Sequence, residues 1–255
     1  MSYIINKEFL IEVEKSNIPG HSMIHKFGRN DAVSSGSWEH VSLTPFSTAN
    51  FRTSPIAMRV KAGNANDTAA GNGAREVTIQ GIDSNFNEVS EAVATAGESA
   101  SANTSATFWR VHRAWVSAAG TYTAANTAAI VIEDSGGGAD FMTIGVEEGQ
   151  SQYTGWTTPI NKTAYLLSLH ISVDSATNKE ADVRIFTREN IDDVSAPMSS
   201  KRLKLFFDGI EGGYRYYPKG PEFIINAKAD LWAEARGDTN NTQVSVDFEL
   251  LVVDD

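Results

Sequence analysis

Apolar and polar positions alternate in short runs along most of this chain, and the period is that of strands. Residues 56–61 (IAMRVK), 75–82 (REVTIQGI), 88–95 (EVSEAVAT) and 107–116 (TFWRVHRAWV) are rich in Val, Ile, Thr and aromatics. Gly, Asn, Ser and Asp bound them, so they read as consecutive strands. Residues 128–132 and 140–146 extend the set. In 75–82, Val77 and Ile79 fall on one face and Glu76, Thr78 and Gln80 on the other, as in a half-buried antiparallel strand. The flanks NANDTAAGNG and DSNFN are turn chemistry, since Asn and Asp tolerate left-handed backbone and Gly adopts it freely. Residues 62–89 therefore predict a loop plus a β-hairpin. In 107–116 the alternation sets Trp109, Val111, Arg113 and Trp115 against Phe108, Arg110, His112, Ala114 and Val116.

A polar stretch with Gly and Pro, residues 150–161 (QSQYTGWTTPIN), interrupts the pattern, which then restarts. Residues 165–173, 180–187, 201–208, 229–236 and 242–253 are further strand candidates; in the last, Val244, Val246, Phe248 and Leu250 share a face. The best amphipathic helix signal is residues 5–15. The expected fold is all-β: two β-sandwich domains, jelly-roll or immunoglobulin-like, at 51–150 and 151–255. Residues 1–50, with scattered His, Pro and Gly, are expected to be an irregular arm packed on the first domain or on a neighbouring chain. No long period repeats strongly enough for a solenoid.

Length and charge narrow the function. The 255 residues suit two ordinary domains. A formal charge of −11, from 21 basic and 32 acidic residues, disfavours a polyphosphate partner, so direct nucleic-acid binding is not expected. With no Cys there is no disulfide framework, thiolate metal site or Cys nucleophile, which fits folding in a reducing cytoplasm. Charges at Lys7, Glu8, Glu12 and Glu14 break the apolar stretch a signal peptide needs, and no window is apolar enough to cross a membrane as a helix.

Candidate chemistry is sparse. His21, His25 and His40 stand near Asp31 and Glu39, but HSMIH lacks the Glu of a zincin helix and follows Pro19-Gly20, so no metal site is expected. Asp83, Asn85, Asn87 and Glu88 begin like a calcium loop, yet Glu88 holds the position that needs Gly and Ala94 the one that needs Glu. Gly71 and Gly73 precede a strand, not the helix a dinucleotide fingerprint requires. The acidic pairs Asp192–Asp193 and Glu147–Glu148 read as solvated surface, and no Ser lies in a nucleophile elbow. No catalytic residue, cofactor or metal is assigned, and an enzyme is not expected.

Aromatics are the remaining signal. Trp38, Trp156 and Trp232 stand beside polar residues, and Tyr214, Arg215, Tyr216 and Tyr217 crowd GGYRYYPKGP. Tyr and Arg together are enriched at interfaces, so this loop suits either subunit contact or stacking on a sugar, with Trp156 beside the tyrosines.

Three segments carry a family resemblance: 18–31 (IPGHSMIHKFGRND), 65–91 (ANDTAAGNGAREVTIQGIDSNFNEVSE) and 107–120 (TFWRVHRAWVSAAG). Together with 214–253, where an aromatic-Pro loop leads to a D-L-W strand and a final V-S-V-x-F strand, they resemble virion structural proteins of tailed bacteriophages, marine phages included. The chain departs from that pattern after Asp31. The resemblance implies a multicopy structural subunit without catalysis, found in the virion and made in the host cytoplasm. A capsid cement or decoration protein bound to the major capsid protein is favoured, as a homo-oligomer and by preference a trimer. A neck or tail component, or a receptor- or carbohydrate-binding module, is the alternative. The implied contact residues are Ile18, Pro19, His21, His25, Phe27 and Arg29, with Tyr214, Arg215, Tyr216 and Tyr217.

Overall fold

A computed structural model describes residues 6–44, 51–174, 179–219 and 223–255. After the helix α1 (Asn6–Glu14) the regular elements of the described chain are all antiparallel β-strands. In order the strands are β1 (His21–Val33), β2 (Glu39–His40), β3 (Ile56–Ala62), β4 (Ala74–Ile82), β5 (Glu88–Ala94), β6 (Thr107–Phe108), β7 (Arg110–Ala119), β8 (Ile130–Asp134) and β9 (Asp140–Ile144). Then come β10 (Trp156–Thr157), β11 (Lys162–Val173), β12 (Glu180–Arg188), β13 (Arg202–Glu211), β14 (Gly213–Tyr216), β15 (Ile224–Ile225), β16 (Asp230–Gly237) and β17 (Thr242–Asp254). The all-β expectation holds, and every predicted strand window contains a strand.

Four sheets enclose two hydrophobic clusters. The sheets β6-β3-β8-β9 and β5-β4-β7 contribute Met58, Ile79, Phe108, Ile132 and Met142 to one. The five-stranded sheets β1-β17-β11-β14 (with β15 on β11) and β10-β16-β12-β13 (with β2 on β16) contribute Ile171, Val246, Phe248, Val183 and Ala233 to the other. The predicted alternations explain this: Val77 and Ile79 point into the first cluster, and Val244, Val246, Phe248 and Leu250 into the second.

Within the irregular arm expected over residues 1–50, the described residues 6–44 hold regular elements. Helix α1 falls inside the predicted helix window, and β1 is a long strand paired with β17, from His21 opposite Val253 to Val33 opposite Thr242. It belongs to the sheet that also contains the C-terminal strand.

The predicted turns are built by carboxylates. Asp83 Oδ1 accepts the N–H groups of Asn85 (2.7 Å) and Asn87 (2.9 Å), closing the β4–β5 hairpin around Phe86 at φ 64°. Asp67, fully buried, accepts from the N–H groups of Ala74 (2.8 Å), Thr127 (2.9 Å) and Ala128 (3.0 Å), so the NANDTAAGNG loop is ordered around one side chain. A Cβ at Gly73 would lie 2.1 Å from Asp67 Oδ1, which leaves that position to glycine.

The polar break at 150–161 is the seam between the clusters, and most of it is buried. Its threonines satisfy themselves against backbone and carboxylate: Thr154 Oγ1 donates to Val41 O (3.3 Å), and Thr157 Oγ1 donates to Asp230 Oδ1 (2.7 Å). At the same seam Arg110 forms a buried fork with Asp230, Nε to Oδ1 at 3.1 Å and Nη2 to Oδ2 at 3.0 Å. His112 Nε2 accepts the N–H of Thr157 at 3.1 Å, and Lys26 Nζ donates to His112 O. Burial holds the His112 imidazole and the Lys26 ammonium well below their ordinary pKa values, and neighbouring cations add to this.

Candidate functional site: the outer face of the N-terminal sheet

Cross-strand register decides which predicted contact residues meet. In β17 the even positions from Val244 to Val252 enter the core, so the odd ones face outward. Opposite them in β1 stand His21 (with Val253), Met23 (Leu251), His25 (Glu249), Phe27 (Asp247) and Arg29 (Ser245). On the far side β11 sets Tyr165 beside Leu251, Ser168 beside Glu249 and His170 beside Asp247. Arg215 of β14 then pairs with His170, and Ile224 of β15 with Tyr165. Directly opposed residues share a face. One outer surface therefore carries the row Arg215–His170–Asp247–Phe27, and a second row, Ile224–Tyr165–Leu251–Met23, that is apolar apart from the Tyr165 hydroxyl.

Local bonds fix the polar part. His170 Nδ1 lies 3.1 Å from Asp247 Oδ2, and Ser168 Oγ donates to Glu249 Oε2 at 2.9 Å. These residues, with Arg215 and Tyr217, line a groove of about 240 Å³. The rings of His25 and Phe27, two residues apart on β1, stack with centroids 5.8 Å apart. Arg29 Nη2 donates to Glu148 Oε1 at 2.7 Å, tying this edge to the 145–149 turn. Phe9 of α1 meets His21 edge-on at 5.7 Å, and His21 Nδ1 lies 2.9 Å from Pro19 O. Ile18 and Pro19 occupy the turn between α1 and β1.

The structure thus brings His21, His25, Phe27, Arg29 and Arg215 onto one sheet face, with Tyr217 beside Arg215 at the groove. Tyr214 and Tyr216 point to the other side, where Phe207 lies 5.3 Å and 5.8 Å from their rings, and Tyr216 packs on the core. Trp156 is buried in the seam, tilted against His112 at 6.0 Å. The tyrosines and Trp156 therefore form no common stacking platform. His40 sits on β2, paired with Glu234 of the other five-stranded sheet, away from His21 and His25. Among the described residues no group of three or more His, Asp or Glu has metal-binding geometry. Sequence reading passed over Tyr165, His170, Leu251 and Ile224; only the register shows that they share the face.

No protein-family model matches the chain, and no curated protein does. Among solved structures it aligns weakly with T=1 particles derived from infectious bursal virus, at 9% identity and a TM-score of 0.23 over 95% of this chain and 74% of that one. A second alignment is with the VP2 subviral particle of infectious bursal disease virus, at 9% identity and a TM-score of 0.18 over 95% of this chain and 76% of that one. Likeness of that order does not establish a shared fold.

Proposed function

We propose that this chain is a non-enzymatic structural protein of a tailed-phage virion, an auxiliary cement or decoration subunit that self-associates, by preference as a trimer, and docks on the major capsid protein. Its site is the virion, after synthesis in the host cytoplasm. The resemblance carried by residues 18–31, 65–91, 107–120 and 214–253 supports the family. One observation carries the docking role: segments nearly 200 residues apart place His21, Phe27, Arg29 and Arg215 on one outer sheet face, beside the apolar row Ile224–Tyr165–Leu251–Met23. A sheet face meant for water is polar. An apolar row rimmed by Arg, Tyr and His has the make-up of a surface covered in an assembly.

The test is mass spectrometry of purified virions with copy counting. Hundreds of copies per particle place the protein on the head, whereas about six or twelve place it at the neck or tail, as symmetry dictates. Absence from purified particles ends the proposal.

A further inference from the structure

The outer face of the second five-stranded sheet holds a cavity that docking through the first sheet leaves unused. On it Phe186 opposes Trp232, Arg184 opposes Glu234, and Glu234 opposes His40. Beside them opens a concavity of about 590 Å³, walled by Phe51, Thr53, Arg188 and residues 198–201. That volume lies within the usual range of small-ligand sites.

The floor is preorganised. The Trp232 ring lies 4.8 Å from Phe51 and 5.6 Å from Phe186, and its Nε1 donates to Glu234 Oε1 at 3.0 Å. Lys201 Nζ donates to the same oxygen at 3.1 Å and Arg184 Nη2 to Oε2 at 2.8 Å. Burial alone would raise the Glu234 carboxyl; the Trp232 and Lys201 hydrogen bonds outweigh it, so the group stays ionised. Burial pushes His40 down to about 4, leaving it neutral at physiological pH.

Two cations, Arg184 and Lys201, pair with the Glu234 carboxylate, and a third, Arg188, stands in the cavity wall, in a chain whose formal charge is −11. Arg188 is locked into the wall by Nε to Ser199 O and Nη2 to Asp193 O, both 3.1 Å. Lys201 is about half exposed (52%), as is Met198 (51%). The lining thus combines an apolar wall (Phe51, Met198), hydroxyls (Thr53, Ser199, Ser200) and surplus positive charge.

We propose that this cavity binds an acidic saccharide: the apolar face of a pyranose ring rests on Phe51 and Met198, its hydroxyls meet Thr53, Ser199 and Ser200, and its carboxylate meets Lys201 and Arg188. A purely apolar ligand would desolvate these cations and hydroxyls without replacing their hydrogen bonds. A polyphosphate would leave the apolar wall of Phe51 and Met198 uncovered. An acidic side chain of a protein partner satisfies the cations but leaves the hydroxyls unmatched.

Isothermal titration of the full chain with oligogalacturonate, against a neutral malto-oligosaccharide of equal length, tests this. The expected result is salt-sensitive binding of oligogalacturonate, weakened by about tenfold or more for the neutral oligomer and in Lys201→Gln and Met198→Glu. Both substitutions fall on half-exposed side chains, and circular dichroism checks that the fold persists. Tyr217→Ala, on the other sheet, should bind normally. No binding, equal binding of the neutral oligomer, insensitivity to both cavity variants, or equal competition by a poly-glutamate peptide overturns the proposal. The titration needs no virion, so its outcome is independent of copy counting.

Discussion

Asp67 shows how far one side chain can organise a loop that composition marks only as a turn. Its carboxylate holds three backbone N–H groups, that of buried Ala74 among them, and without it they lose this partner. Asp67→Ala should therefore cost about 3 kcal/mol or more, read as a fall in the urea midpoint; a change below about 0.5 kcal/mol would show that the loop orders itself without the carboxylate. His40 makes the matching statement about pH. Its pKa falls from 6.5 to about 4 on folding, so between those values the unfolded chain binds a proton that the folded chain does not. Its contribution is complete above pH 6.5 and is lost as pH drops toward 4, on the order of 3 kcal/mol in all. Buried His112 acts in the same direction. His40→Phe should flatten the acid side of the stability profile, and an unchanged slope between pH 7 and 4.5 would contradict the assignment.

At the scale of elements, what the sequence made legible follows from what each strand faces. A strand with one face on a core, such as β17, alternates cleanly and was predictable. Strand β1 was not, because its inward positions Lys26 and Gly28 meet the polar seam and a close backbone crossing, which erases the apolar half of the pattern. The run at 107–116 breaks at Trp109: β6 pairs with β3 while β7 pairs with β4. A register shift opposite Gln80 and Gly81 then turns both Val111 and Ala114 toward the core, which strict alternation forbids. Strands β2, β10 and β15, two residues each, are too short to leave a period. The candidate contact residues came from the family resemblance on β1 and from the Tyr-Arg loop on β14, but which of them share a face was not legible, since register alone sets that. Gly28 gives the element-scale prediction. A Cβ there would lie 2.3 Å from Val41 O and 2.7 Å from Thr154 N, so Gly28→Ala should destabilise by about 1–3 kcal/mol in denaturant titration. A neutral result would mean that β1 can shift away from the seam.

For the whole molecule, the two clusters are joined by a polar seam rather than by continuous hydrophobic packing. Arg110 and Asp230 are almost fully buried there (3% and 2% exposed side chains), so removing either partner strands a charge. Arg110→Ala should cost about 3–5 kcal/mol, and replacing both partners with apolar residues of similar volume should recover much of that loss; additive losses in the double-mutant cycle would show that the two act independently. A seam held by specific charges suits a subunit that keeps its sheets in fixed relation while an outer face bears on a neighbour. The most direct test of that role is a cryo-EM reconstruction of the intact particle. The account predicts this chain on the virion, with His21, Phe27, Arg215 and Tyr217 of the N-terminal sheet buried against another subunit. A particle that lacks the chain, or one in which that face is open to solvent in every copy, would contradict it.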